Sequence, residues 1–271
     1  MRIIKKYIYL FAAGLTLSVA CKEKIELEIP SAAPLLVVEA EVTTETDSSY
    51  VKLHLSSDYF SAAAYPVVKT AQVRVNGISF DFDPIQNLYR PDSGFDGKPD
   101  SVYNLQINYE GKTYTSQAKL EPMFSVKSFF NTYKPKEGFL PAGYSVSYVG
   151  YDDRPGTKYT YFVGGKYDFV NHVDSFDKNK ILFNSAQTPV NRDYQFEIPF
   201  TRFDVGDIYT CIFRSVDKNM YDFIEAYNMQ SSGAPGPFQV PPANLPTNIT
   251  GGALGYFATY QVVRIRHMIT P

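Results

Sequence analysis

Val73 and Val75 alternate with Gln72 and Arg74, and Asn76-Gly77 follows at once. Alternation running into Asn-Gly is a strong short-range sign of a β-hairpin, because these residues accept the positive φ values of a two-residue turn. The pattern recurs. In YVKLHLS, Val51, Leu53 and Leu55 alternate with Lys52 and His54; LLVVEAEVT is apolar and β-branched. In SVYNLQINYEGKTYTSQAKL, Tyr103, Leu105, Ile107 and Tyr109 alternate with Asn104, Gln106 and Asn108, and Glu110-Gly111 turns the chain back. Period two places one face on a core and the other in water, the habit of antiparallel sheets. Six or seven such strands in roughly 90 residues predict an immunoglobulin-like β-sandwich over 35–121, lacking its disulfide.

Leu120-Glu121-Pro122 marks a boundary. Beyond it the strands are longer and rich in Tyr and Phe, as in YSVSYVGY, TKYTYFVGGKYDFV, DIYTCIFRSV and GYFATYQVVRIRHM. They predict a second β-sandwich domain over 122–271. One short helix is expected there, capped by Asp217 and presenting Met220, Ile224 and Tyr227 on one face. SSGAPGPFQVPPANLPTN reads as a long loop.

The start of the chain carries Arg2, Lys5 and Lys6, an apolar run from Tyr7 to about Ala20, and then Ser18-Val19-Ala20-Cys21. The apolar run is too short to span a bilayer comfortably. It resembles the lipobox of bacterial lipoproteins, with Ser18 where Leu is commonest, and predicts a signal peptide over 1–21 ending in an acylated Cys21. An ordinary secretory signal or an uncleaved anchor are the other readings. Residues 22–34, charged and then rich in Pro and Ala, read as a tether. The acidic residues behind Cys21 also resemble the surface-export signal of Bacteroidota-type lipoproteins.

Cys211 is then the only cysteine left, which excludes a disulfide framework or a cysteine-built zinc site; a small core hydrophobe is expected. Removing Arg2, Lys5 and Lys6 from 26 cations leaves 23 against 28 acids, a mildly acidic balance that gives no reason to expect nucleic acid. No G-x-S-x-G, P-loop or G-x-G-x-x-G occurs, and the three histidines are scattered, so no catalytic residue and no cofactor is assigned. Asp92, Asp96 and Asp100 lie four apart in PDSGFDGKPDS, a weak cation site, since Gly94 and Lys98 stand where a calcium loop needs oxygen ligands. A plain Asp/Gly turn is the preferred reading. Phe238, Val240 and Leu245 in the long loop, with Asn248 and Tyr256, are candidate binding residues.

Taken together, these segments resemble one family, the outer-membrane lipoproteins grouped as domain of unknown function 4249. The likeness runs from Cys21 through Pro34–Thr43, Ala71–Val75 and Gly111–Tyr114 to Asp152–Gly156 and Tyr221–Phe223, and is least over 174–192. Its most specific part is Pro246–Phe257, PTNITGGALGYF, whose glycines and aromatics serve either the fold or a contact surface. Members are encoded beside a TonB-dependent outer-membrane transporter. The resemblance therefore implies a lipid-anchored, non-catalytic accessory or capture subunit of such a transporter. The alternatives from the residues themselves are a loop-built hydrolase of glycans or peptides, or an adhesive β-sandwich module.

Overall fold

The two hairpins predicted from turn chemistry form as read. β3 (Gln72–Val75) pairs with β4 (Ile78–Asp83) across Asn76 and Gly77, at φ 49° and 82°. β6 (Val102–Tyr109) pairs with β7 (Lys112–Lys119) across Glu110 and Gly111, at φ 47° and 73°. Two consecutive positive φ values give the turn whose twist matches that of the strands. The computed structural model describes residues 33–57, 63–92, 94–154, 156, 158–176, 181–184, 191–199, 201–231 and 245–271. The signal peptide, Cys21, the tether up to residue 32, Phe238 and Val240 lie outside these.

Residues 34–271 form one compact unit, mainly β with one helix among the described residues. The alternating strands do not divide into two facing sheets as an immunoglobulin-like sandwich would. β1 (Leu36–Thr43), β2 (Tyr50–Leu55) and β5 (Leu88–Pro91) join the two hairpins in one eight-stranded sheet. The eighth strand is β15 (Leu254–Tyr260), which lies parallel to β1, with Val37 beside Leu254 and Thr43 beside Tyr260. The sheet curls until its edges nearly meet. Thr250 donates its N–H to the Thr115 carbonyl (2.8 Å), and the Ser116 hydroxyl donates to the Asn248 carbonyl (2.9 Å). Near-closure spares the sheet two bare edges. Its interior is filled by the inward half of each alternation, among them Val38, Leu53, Val75, Phe80, Leu105 and Ile107.

The second half forms two further sheets. β8 (Ser125–Lys134), β9 (Gly143–Tyr151) and β13 (Asp193–Glu197) make one of three strands. β10 (Tyr159–Asp168), β11 (Val173–Phe176), β12 (Ile181–Asn184), β14 (Ile208–Val216) and β16 (Val262–Met268) make one of five. Side chains from both meet in one largely aromatic cluster. Tyr148 stacks edge-on against Phe213 at 5.0 Å, and Phe124, Phe162 and Tyr194 surround them. Each fully buried ring of this kind contributes roughly 2–3 kcal/mol. Cys211 is fully buried among them and burial pushes its thiol pKa well up, as suits an inert core residue.

One stretch of chain serves both halves. β15 belongs to the curled sheet and β16 to the five-stranded one, and only Gln261 separates them. Gln261 is held by a hydrogen bond from the Met123 N–H (2.8 Å) and by exchanges with Ser215. Phe257 points into the curled sheet's core, whereas Tyr256, Ala258 and Tyr260 point into a third cluster with Tyr161 and Val216. The helix α1 (Lys218–Ser231) covers that cluster with Met220 and Ile224, while Tyr227 faces outward. Asp217 caps it as expected, its carboxylate accepting the Met220 N–H at 2.7 Å. No described helix is long and apolar enough to cross a membrane.

Candidate functional site

Strand direction decides where the loops of the second half collect. β10 ends where β14 begins, with Lys166 paired to Tyr209, and β14 begins where β16 ends, with Ile208 paired to Met268. β8 ends and β9 begins at the same pole, because Asn131 holds the Thr270 carbonyl (2.7 Å) and Tyr144 bridges Phe203. Three connections therefore share one end: 135–142, 169–172 and 203–207. All three carry large apolar side chains in water. Phe139 is 84% exposed and Val170 86%, with Phe169, Val205 and Met268 more than half exposed. Single exposed hydrophobes are ordinary, but several on loops at one end of a β-structure make that end the candidate contact surface.

The loops are held from below. Asp168 accepts the backbone N–H groups of Val170 (2.8 Å) and Asn171 (3.1 Å) and the Asn171 side-chain amide (2.6 Å). These bonds, the side-chain one foremost, hold its carboxyl pKa below the ordinary value. Tyr167 packs edge-on against Phe169 at 5.1 Å, and Arg266 lies over the Tyr167 ring while bonding Asp174 at 2.7 Å. In the first loop, Glu137 and Leu140 exchange backbone hydrogen bonds around Gly138 and Phe139. In the third, Asp204 donates its N–H to the Asp207 carboxylate, which also meets Lys166 at 2.7 Å. Fixed turns present the apolar side chains at little further entropic cost on contact.

The sequence candidates lie elsewhere. Asn248 is a structural clamp: its side chain donates to the Phe257 carbonyl (2.8 Å) and accepts the Phe257 N–H (2.9 Å), as a neighbouring strand would. Tyr256 is buried beside Phe223, ring centroids 4.9 Å apart, and its hydroxyl has no hydrogen-bond partner among the described residues. Leu245 is half-buried. In the acidic loop, Asp96 accepts from the Thr46 hydroxyl (3.4 Å), Asp100 faces Lys119 (3.3 Å) and Asp92 is exposed. Between them Phe95 packs edge-on against Phe80 and Tyr103, so the loop plugs one end of the curled sheet. Among the described residues no group of three or more His, Cys, Asp or Glu side chains converges as a metal site.

Sequence reasoning missed Phe139, Phe169, Val170 and Val205, having read Phe169 and Val170 as the end of a strand. The available signal was turn chemistry: Asp168 and Asn171 bracket one apolar pair, and Gly stands beside Phe139 and Val205 in E-G-F and V-G-D.

A cavity of about 560 Å³ opens on the outer face of the curled sheet, lined by Arg74, Asn76, Asn104, Gln106, Thr115, Gln117 and Thr250 among others. No curated protein matches the chain in sequence at a significant level. The family model for a domain of unknown function (DUF4249) matches residues 22–266. Because that match spans nearly the whole chain, the protein belongs to the DUF4249 family.

Proposed function

We propose that this chain is an outer-membrane lipoprotein, anchored through Cys21, that serves as a non-catalytic accessory or capture subunit of a TonB-dependent transporter. Its two working parts are the curled N-terminal sheet, whose first strand follows the tether in sequence, and a C-terminal β-sandwich, whose loop tip docks on the partner. The observation that carries the reading is the path of residues 254–268, which connects the start of β1 with the apolar loop tip. β1 starts at Leu36, just after the tether, and its far end at Thr43 meets Tyr260. From there β16 runs on to Met268 at the apolar tip. Residues 254–268 thus lead from beside the tether to the tip along about 50 Å of contour. A lipid-held protein whose apolar loops are separated from the tethered strand by such a run of chain is suited to reach a neighbour while remaining tethered.

The test is cross-linking in intact cells followed by pull-down through a C-terminal tag and mass spectrometry. The unaltered chain is expected to bring down an outer-membrane transporter in near-equal amount. Phe139→Ser/Val170→Ser is expected to lose it while folding normally, and Cys21→Ala is expected to leave a folded protein outside the membrane fraction. Recovery of the chain alone, or full recovery by the loop variant, contradicts the tip as the docking surface. Retention of Cys21→Ala in the membrane contradicts the anchor.

A further inference from the structure

The outer face of β3, β6 and β7 has an unusual chemistry for exposed sheet. Cross-strand register sets its side chains in three rows: Gln72, Asn108, Thr113; Arg74, Gln106, Thr115; and Asn76, Asn104, Gln117. All nine are amides or hydroxyls except Arg74. Side chains that each offer a donor and an acceptor suit hydroxyl groups, which also do both.

One row is already organised. The Asn76 side-chain oxygen accepts from the Asn104 backbone N–H (2.8 Å) and side-chain amide (3.2 Å), and the Gln117 side-chain amide donates to Asn104 Oδ1 (2.8 Å). The middle row is not used up. Among the described residues the Arg74 guanidinium and the Gln106 amide make no hydrogen bond or ion pair, and both are exposed on the same face as cross-strand neighbours. Thr250, bonded to the Thr115 hydroxyl at 2.6 Å, raises one wall of the cavity, and the Asn76-Gly77 turn raises the other.

From this we infer that the groove binds a soluble acidic oligosaccharide, its ring hydroxyls meeting the amide rows and a carboxylate meeting Arg74. Arg74 is the one charged side chain of the nine, and the nearest carboxylate on the adjoining strand, Asp81, accepts from the Ser79 hydroxyl (2.9 Å) and forms no ion pair with it. A free guanidinium supplies the preference for an anion, and its planar fork pairs with a carboxylate through two bonds. The site is separate from the loop tip and stands or falls independently of the docking reading.

The experiment is calorimetric titration of the detergent-solubilised full chain with trigalacturonate, and with maltotriose as a neutral counterpart. Trigalacturonate is expected to bind, and more tightly than maltotriose. Arg74→Ala is expected to weaken it roughly tenfold, the loss of one charged hydrogen-bonding partner. Gln106→Ala is expected to weaken both sugars by a smaller factor. Both side chains are exposed, so the variants are expected to melt within a degree or two of the parent, which separates lost contact from lost fold. Undetectable binding at 10 mM (about the weakest affinity worth calling a site), equal affinity for the neutral trimer, or unchanged binding in Arg74→Ala each overturns the inference.

Discussion

The curled sheet and the paired sheets solve the same problem by different means. The first buries mainly aliphatic side chains and, β15 apart, chiefly on one face, so Val73 and Val75 go in while Gln72 and Arg74 stay out. The second buries aromatic side chains, and β14 and β9 are covered on nearly every residue. A sheet with one wet face announces itself by alternation, whereas strands covered on both faces read as continuous apolar runs. The difference teaches that regularity of pattern measures how much of a strand meets water, not how firmly it is held.

Whether the two regions are separate or joined is the point on which they can be tested. β15 joins them, and Gly255 is its tightest seat: at φ 96°, with a Cβ there only 1.9 Å from the Val38 carbonyl oxygen. Gly255→Ala must shift the parallel ladder and is expected to cost about 3–5 kcal/mol. Calorimetry is expected to show one transition, lowered by about 10 °C. Two transitions, with the aromatic half melting as before, would separate the regions.

The junction also holds an ion pair. Arg214 of β14 meets Glu41 of β1 at 3.3 Å and the Tyr161 hydroxyl at 3.1 Å, and lies 5.1 Å over the Tyr260 ring. Arg214→Ala leaves Glu41 without this cation and empties the stack, for an expected loss of about 3 kcal/mol in denaturant melts. A loss below about 0.5 kcal/mol, as at the surface, would show that the pair does not join the halves.

A third test concerns the second half alone. The Asp152 carboxylate is buried, which by itself favours the protonated form. Two hydrogen bonds from Arg154 (2.7 and 2.6 Å), a third from its backbone, and the charges of Arg154 and Lys158 outweigh this and hold its pKa below the ordinary 3.8. Because the folded value lies below the unfolded one, the stabilisation is complete above about pH 4 and fades as pH falls through the folded value. Asp152→Asn is expected to cost about 1–2 kcal/mol at pH 7 and to flatten the acid limb of the stability curve.

The smallest effect is expected in the aromatic core. The Tyr148 hydroxyl is buried with no hydrogen-bond partner among the described residues, and burial pushes its pKa far up. Tyr148→Phe removes the unpaired group and keeps the ring, so urea unfolding is expected to show no loss, or a gain of up to about 1 kcal/mol. A clear loss would mean that the hydroxyl is satisfied after all.

These particulars show what the sequence could convey. The hairpins at Asn76-Gly77 and Glu110-Gly111 and the helix capped by Asp217 were legible because their causes are local. The parallel pairing of β1 with β15 was not, since its cause is contact between residues more than 200 positions apart. The glycine-rich stretch 246–257 was recognisable but ambiguous between fold and contact surface. In the fold it does structural work: Asn248 clamps Phe257, Thr250 bridges to β7, and Gly255 admits the Val38 carbonyl. The apolar tip was illegible because nothing in E-G-F or F-V-N-H says that three such turns converge.

The pairing of β1 with β15 has a mechanical meaning. If the tether pulls on the start of β1 while a partner pulls on the tip, the load enters β15 through β16 in the opposite sense. Two parallel strands drawn apart along their own axes are loaded in shear, so the ladder across seven registered residue pairs must yield together rather than unzip one at a time. A load applied in that way would fall on a joint held in shear rather than in peeling.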